Sequence, residues 1–74
     1  MLLTYYIGQT IFIHFDKLVN NIKVTITNNH HQPVLSRTFT STNFVKLSDN
    51  KLEGKVHLEI DYDGEHITKS LNIV

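Results

Sequence analysis

Apolar and polar residues alternate with a period of two along much of this chain. The clearest run spans residues 54–64, where one side is apolar throughout: Val56, Leu58, Ile60 and Tyr62. The positions between them are polar: His57, Glu59 and Asp61. Because strand side chains point alternately to opposite faces, this run predicts a half-buried strand. It ends in Asp63-Gly64, a preferred two-residue hairpin turn, so we predict a closing hairpin over residues 55–73.

The turn length fixes the register of that hairpin. If Asp63-Gly64 is the whole loop, Ile60 faces Ile67, whereas an odd-length loop would turn Ile67 outward. Burial therefore favours the two-residue loop. Lys69 then lies on the apolar face, as an inward-pointing lysine does when it guards an edge strand. We predict that the last strand lies at a sheet edge.

The rest of the chain contains short β-rich runs and no helical pattern. Besides the closing hairpin, strands are predicted over residues 2–7, 10–15, 22–27, 34–39 and 44–47. The predicted connections are Gly8-Gln9, residues 16–21 with a turn at Asn20-Asn21, the hairpin loop 28–33, the polar linker 40–43 and the loop 48–51. Short strands with turns between them predict a β-sandwich or a small barrel.

Three single residues refine this pattern. Leu18 is expected to pack into the core from the connection over residues 16–21, and Leu52 to anchor the loop before Gly54. Arg37 falls at an inward position, which indicates an edge strand or a bulge that turns it outward.

Composition narrows the classes of function. The chain has 74 residues, enough for one domain, and no cysteine, so disulfides and cysteine-type zinc sites are excluded. Seven basic and seven acidic residues balance, which argues against a nucleic-acid partner. No segment reaches the ~20 apolar residues of a membrane-spanning helix, so no membrane span is predicted. The apolar start of the chain has no basic region and no small-residue cleavage site, so it does not match a signal peptide.

A resemblance rests on the order of these runs: Ile22-Lys23-Val24-Thr25-Ile26, the turn 28–33 into Val34-Leu35, the run 52–60, and Leu71-Asn72-Ile73. In this order the chain resembles a family of small secreted gut-bacterial domains of unknown function with an immunoglobulin-like sandwich. It is also similar to the C-terminal sorting domains of the gliding-type secretion system. Val56 stands where those families usually have a tyrosine. The resemblance implies a periplasmic, cell-surface or extracellular location and no enzymatic activity.

The combined prediction is therefore one all-β domain over residues 1–74, an immunoglobulin-like β-sandwich of six or seven short antiparallel strands. Residues 1–9 form a candidate edge or exchanged strand, because Leu2 to Ile7 carry neither charge nor proline. Pairing of this strand within its own sheet is favoured over pairing or exchange with a second copy or a partner strand.

The predicted hairpin register brings polar side chains together on one face. Asp61 faces His66, and Glu59 and His57 lie nearby on that face. Two histidines and two carboxylates suit a metal ion or a titrating cluster, but a solvated face with charge pairs is the favoured interpretation. If the pair forms, the carboxylate of Asp61 should raise the pKa of His66. His30-His31 is not expected to bind one metal, because adjacent side chains point apart, and no metal or cofactor is predicted.

Aromatic residues offer a second candidate. Tyr5, Tyr6, Phe12 and Tyr62 are candidates for a sugar-binding platform, although a core role is favoured in so small a chain. Adjacent Tyr5 and Tyr6 cannot face the same side of a strand, so one of them should be exposed. The candidate ligand face therefore has six members: His57, Glu59, Asp61, His66, Tyr5 and Tyr6.

Catalysis has little support. No Gly-x-Ser-x-Gly elbow occurs, and no paired carboxylates flank an apolar pocket. We therefore expect a non-enzymatic interaction or structural module of a bacterial envelope or secreted protein. The alternative is a carbohydrate-binding accessory domain. The expected partners are a protein, a second copy paired through an edge strand, or a glycan.

Overall fold

The computed structural model describes residues 2–74, and this part of the chain is all-β with antiparallel pairing throughout. Met1, the first residue of the edge strand predicted over residues 1–9, lies outside the described residues. Five strands follow one another along the chain: β1 (Leu2–Ile7), β2 (Thr10–Thr27), β3 (Pro33–Ser48), β4 (Gly54–Tyr62) and β5 (Glu65–Ile73). Among these residues there is no helix that could cross a membrane.

Strand β2 is the centre of the sheet. One of its edges pairs with β3 along most of its length. Its other edge is shared, with β1 beside residues 10–15 and β4 beside residues 22–27. Strand β5 pairs with β4, so the order along this path is β1-β2-β4-β5.

The two long strands bend at the same place. His14 pairs with Phe44 and Val19 with Thr42, so residues 15–18 of β2 lie opposite the single residue Asn43. Such an irregularity bends a strand and increases its twist. Ser41, on the β3 side of the bend, has a positive φ of 50°. The sheet therefore curls into a half-barrel, and β1 comes close to β5 without pairing with it.

The bend divides the sheet into two halves. We call β1, residues 10–15 of β2 and residues 44–48 of β3 the three-stranded half. The remaining residues of β2 and β3, together with β4 and β5, form the four-stranded half. The concave faces of the two halves meet in one core. Fully buried side chains come from both halves: Ile11, Ile13, Val24, Ile26, Val56, Leu58 and Ile60.

Aromatic packing joins the halves across the bend. The ring of Phe15 meets the ring of Tyr62 edge to face at 5.0 Å between centroids. Leu52, with no exposed surface, inserts from the connection before β4, as the sequence predicts. An edge-to-face pair of this kind adds about 0.5–1.5 kcal/mol beyond the area that it buries.

The predicted closing hairpin is confirmed in its register. Tyr62 pairs with Glu65 and Ile60 with Ile67, so Asp63-Gly64 is the whole loop. Both turn residues have positive φ angles, 45° and 84°, as a type I′ turn requires. Lys69 lies opposite Leu58, and β5 is the end of the sheet path, as predicted.

The region over residues 16–21 is predicted wrongly. It is part of β2 rather than a connection, and Asn20-Asn21 makes no turn. Leu18 does not enter the core: 63% of it is exposed, while Val19 beside it has no exposed surface. The long hairpin with β3 supplies backbone partners on both sides of the bend, and this tertiary pairing overrides the local turn preference.

The polar linker predicted over residues 40–43 is also wrong, because these residues lie within β3. Two pairs of predicted short strands thus merge into two long bent ones, and the sheet has five strands rather than six or seven. The all-β class is confirmed. An immunoglobulin-like sandwich of two separate sheets is not confirmed, because the described strands belong to one curled sheet.

Other predictions of the strand pattern hold. Residues 28–32 form the β2–β3 hairpin loop, and Pro33 begins β3. Arg37 is exposed, and β3 pairs only with β2 among the described strands, which agrees with an edge strand. Residues 2–7 pair within their own sheet as β1.

Candidate functional site

The convex side of the four-stranded half carries the four polar residues grouped by the sequence prediction, His57, Glu59, Asp61 and His66, which we call the polar face. A two-residue turn makes its flanking residues, Tyr62 and Glu65, a hydrogen-bonded pair, and the pairs alternate from there. Asp61 and His66 therefore form a non-hydrogen-bonded pair, in which side chains approach most closely. Accordingly, His66 Nδ1 lies 2.5 Å from Asp61 Oδ1.

His66 is surrounded by acidic groups. Its Nε2 lies 3.6 Å from Glu59 Oε1, so both ring nitrogens face carboxylates. The hydrogen bond to Asp61 raises the pKa of His66, the charges of Asp61 and Glu59 raise it further, and partial desolvation opposes them. Both carboxylates thus favour the protonated form of the ring.

His57 completes this polar face in a separate contact. Its Nδ1 lies 3.1 Å from Ser70 Oγ, again across a non-hydrogen-bonded pair. On its other side, the ring stacks on His31 at 5.9 Å. The described residues contain no group of three or more histidine or carboxylate side chains arranged to hold a metal ion.

The loop that presents His31 is organised by Asn28. The Asn28 Oδ1 accepts hydrogen bonds from the backbone N–H groups of His30, at 2.8 Å, and Gln32, at 3.0 Å. His31 itself has a positive φ of 61°. This backbone conformation directs His31 toward β4, so one histidine of the pair His30-His31 reaches the polar face.

A shallow groove of about 400 Å³ lies at the turn end of the closing hairpin. Lys23, Thr38 and His66 are among the residues that line it. The turn is held in place by Asp63, whose Oδ1 accepts a hydrogen bond of 3.2 Å from the backbone N–H of Asn21. Asp63 thereby fastens the hairpin to β2, and its carboxylate is already engaged.

The convex side of the three-stranded half carries a different surface, which we call the aromatic face. It consists of four rings: Tyr5, Phe12, His14 and Phe44. The Tyr5 and Phe12 rings lie 5.1 Å apart at an angle of 19°, and the Phe12 and Phe44 rings lie 6.1 Å apart at 17°. The row thus crosses β1, β2 and β3.

His14 is the polar member of the aromatic face. Its Nε2 lies 2.9 Å from the Tyr5 hydroxyl, and its ring lies 4.6 Å from that of Phe44. These contacts connect the two ends of the row. Each ring of the aromatic face is therefore in contact with at least one other ring of the row.

The aromatic face extends into exposed aliphatic residues on β1. The exposed fraction is 51% for Leu3 and 66% for Ile7, compared with 36% for Tyr5 and 41% for Phe44. All four project from the convex side. A contiguous exposed apolar surface of this kind is typical of an interaction site.

The six predicted ligand residues do not form one face. His57, Glu59, Asp61 and His66 lie together on the four-stranded half, whereas Tyr5 is exposed on the three-stranded half. Tyr6 points to the concave side, where it packs against the core, and so does Tyr62. Of the four aromatic residues considered for a sugar-binding platform, Tyr5 and Phe12 therefore lie on the convex side and the other two do not.

Phe44 and His14 are the members of the aromatic face that the sequence analysis missed. A signal for both was present. Val45 and Leu47 share one parity, which places Phe44 on the opposite side of its strand. His14 likewise alternates with Ile13, and the two outward rings face each other once β2 and β3 are paired.

Searches against known protein families and against curated proteins found no match to this chain. The resemblance to small secreted domains therefore stays a prediction, and the residues must be interpreted from their own geometry.

Proposed function

We propose that this chain is a non-enzymatic interaction module that binds another protein through the aromatic face. The observation that supports this proposal is the stacked row Tyr5–Phe12–Phe44 on the convex side of the sheet, in which the two outer rings are exposed and Phe12 is half-buried. A chain of 74 residues needs most of its aromatic side chains inside to be stable. Rings held outside and ordered by one another agree better with a binding role than with a structural one.

The composition of this surface agrees with a protein partner. Aromatic side chains are enriched at the centres of protein–protein interfaces, where they supply large contact areas at low cost in conformational entropy. Leu3 and Ile7 extend the apolar area on one side, and Lys46, opposite Phe12, is an exposed cation at its border. This arrangement resembles an apolar interface centre with a polar rim.

Ring orientation favours a protein partner over a glycan. Nearly parallel rings only 5.1 Å apart overlap in an offset stack, so Tyr5 and Phe12 turn their faces toward each other. Stacking on a sugar requires an open ring face, whereas neighbouring rings of this row cover each other's faces. The carbohydrate-binding alternative is therefore the weaker proposal.

Charge gives no support to a nucleic-acid partner. Aromatic rows on sheets also bind single-stranded bases, but such surfaces combine stacking with a cationic groove. The formal net charge of this chain is zero with histidines neutral. An immunoglobulin-like topology and a periplasmic, cell-surface or extracellular location rest on the sequence resemblance alone and are retained as parts of the proposal.

Selection from a random-peptide display library tests this function even though the natural partner is unidentified. We expect the selected peptides to be apolar and to lose binding to the double variant Tyr5→Ser/Phe44→Ser. The matched control is Glu59→Gln/His66→Gln, which changes two exposed residues of the polar face. Chemical denaturation checks that both variants are folded.

The proposal is contradicted if the peptides bind the aromatic-face variant as well as the wild type, or if the polar-face control abolishes binding. A glycan array serves as the parallel test of the alternative. Glycan binding that Tyr5→Ser removes would replace the protein partner with a carbohydrate.

A further inference from the structure

Among the described residues the curled sheet has three open edges, formed by β1, β3 and β5. Two of them carry features that oppose further strand pairing. Strand β3 begins with Pro33, carries Arg37 at an inward position and is interrupted by the positive φ of Ser41. Strand β5 begins with Glu65 and has the inward-pointing Lys69 at its centre.

Strand β1 has no such protection. Its sequence, LLTYYI, contains no charge, no proline and no glycine. Its convex side chains are exposed, Leu3 and Ile7 by more than half. A regular, uncharged and apolar edge strand is the kind that accepts another strand.

The backbone groups available on this edge follow from the β1–β2 turn. Gly8-Gln9 is a two-residue loop, so Ile7 and Thr10 form a hydrogen-bonded pair. From there, non-hydrogen-bonded and hydrogen-bonded pairs alternate along β1 and β2. The residues on the convex side, Leu3, Tyr5 and Ile7, therefore bond to β2. The other three, Leu2, Thr4 and Tyr6, direct their N–H and C=O groups to the open edge.

Those groups have no backbone partner within the part of the chain that the structure describes. β5 approaches β1 but does not pair with it. Addition of a strand at this edge would thus form new hydrogen bonds without breaking any existing strand pair.

We infer that the open edge of β1 pairs antiparallel with β1 of a second copy of this chain. This pairing goes beyond the proposed function, because it uses backbone groups of the β1 edge rather than the aromatic face. Opposed residues must lie on the same face, and the bonded residues must be those directed to the edge. Of the registers that satisfy both conditions, the two that pair most of β1 place Thr4 opposite either Thr4 or Tyr6.

A second copy suits this edge in both registers. Leu3 meets Tyr5 in the first register, and Tyr5 meets its own counterpart in the second, so apolar side chains oppose each other on the convex side. Because β1 has no charged residue, neither register places like charges opposite each other. The zero formal net charge removes long-range repulsion between copies near neutral pH. Such pairing is isologous, as in most symmetric dimers.

Sedimentation velocity over a concentration series, from about 10 μM to about 1 mM, tests the pairing, since a single-edge interface is small and weak. We expect a monomer–dimer equilibrium in the wild type. Thr4→Pro removes an edge-directed N–H that β2 does not use, so dimerisation should weaken about tenfold or more. The matched control is Thr68→Pro, which removes an edge-directed N–H from β5 and should leave dimerisation unchanged.

Two further variants keep the test decisive. If Thr4→Pro fails to fold, Thr4→Lys introduces the inward lysine that β5 already has and should abolish the dimer. Phe44→Ser lies on β3, away from the β1 edge, and should retain the dimer while losing the selected peptides. Failure of the dimer is therefore distinguishable from failure of the proposed function.

Amide hydrogen exchange locates the interface. In the dimer, the N–H groups of Thr4 and Tyr6 should gain protection as concentration rises, whereas Tyr5 should be protected already in the monomer. A wild-type chain that stays monomeric throughout the concentration series overturns the inference. So does a dimer that tolerates both Thr4 variants while Thr4 and Tyr6 continue to exchange rapidly.

Discussion

The imidazole of His66 and the carboxylate of Asp61 form a cross-strand pair at 2.5 Å, next to the turn of the closing hairpin. The pair lies on the exposed side of the sheet, with Glu59 near the other ring nitrogen. Its geometry is a direct consequence of the two-residue Asp63-Gly64 loop, which makes this a non-hydrogen-bonded position.

This pair makes the stability of the hairpin dependent on pH. The pKa of His66 is raised above its ordinary value by the hydrogen bond to Asp61 and by the charge of that carboxylate. The protonated ring therefore stabilises the fold fully below the unfolded-state pKa of about 6.5, while Asp61 stays ionised, and this contribution is lost as pH rises through the folded-state pKa. We expect Asp61→Asn to reduce the free energy of unfolding more at pH 5.5 than at pH 8.5.

An NMR titration of the His66 ring checks this expectation. The midpoint should fall in Asp61→Asn and should stay nearly unchanged in Thr68→Ala, which alters a neutral neighbour on the same face. A His66 midpoint that is insensitive to Asp61→Asn would show that the pair does not exist in solution.

The bend in β2 predicts opposite outcomes for two adjacent residues. Val19→Ala should lower the free energy of unfolding by about 2 kcal/mol, because it removes buried methyl groups and leaves a cavity. Leu18→Ala should change it by less than about 0.5 kcal/mol, because that side chain is largely exposed. Urea denaturation of both variants measures the difference. A larger loss for Leu18→Ala would mean that Leu18, rather than Val19, points into the core at the bend.

Asp63 has two roles in the closing hairpin. It adopts a positive φ in the turn, and its carboxylate accepts a hydrogen bond from the N–H of Asn21. Asp63→Ala should lower the free energy of unfolding by about 1–2 kcal/mol, since both the acceptor and the tolerance of the left-handed conformation are lost. Asp63→Asn retains both properties and should remain within about 0.5 kcal/mol of the wild type. Equal losses in the two variants would exclude this explanation of the residue.

Ser41 adopts a left-handed backbone conformation within β3, with φ 50°. For a residue with a Cβ this conformation costs about 1–2 kcal/mol. Ser41→Gly should therefore raise the free energy of unfolding by about 0.5–1 kcal/mol, after allowance for the greater flexibility of glycine in the unfolded chain. Ser41→Val should lower it by about 1–3 kcal/mol. Thermal unfolding should rank Ser41→Gly as the most stable protein, the wild type next and Ser41→Val last. The reverse order would mean that the left-handed residue of the bend lies elsewhere.

The closing hairpin was predictable because local and tertiary requirements agree there. The alternation of Val56, Leu58 and Ile60 fixes the buried face, and Asp63-Gly64 is a turn that fixes the register. Two independent signals led to one arrangement, and the contact between Asp61 and His66 followed from them.

The bend was not predictable from the same kind of pattern. Asn20-Asn21 and the polar residues 40–43 have turn chemistry, yet both lie in long strands that pair with each other. The partner strand, which is remote in sequence, satisfies their backbone groups, and no local pattern reveals that. Merging of the short strands is what turns the predicted sandwich into one curled sheet.

The candidate site was predictable only in part for the same reason. The polar face needs a single hairpin, whereas the aromatic face needs β1, β2 and β3 side by side. Phe12 and Phe44 lie far apart in sequence, and their contact depends on the register of the longest hairpin. The outward parity of each ring could be derived from its own strand, but their meeting could not.

NMR chemical-shift mapping with a peptide from the display selection tests the proposed interaction surface most directly. The isotope-labelled chain is titrated, and perturbed backbone amides are placed on the sheet. We predict that they cluster in residues 3–7, 10–14 and 44–48, around the rings of Tyr5, Phe12 and Phe44. Perturbations confined to residues 57–61 and 66–70 would contradict the aromatic face as the binding surface.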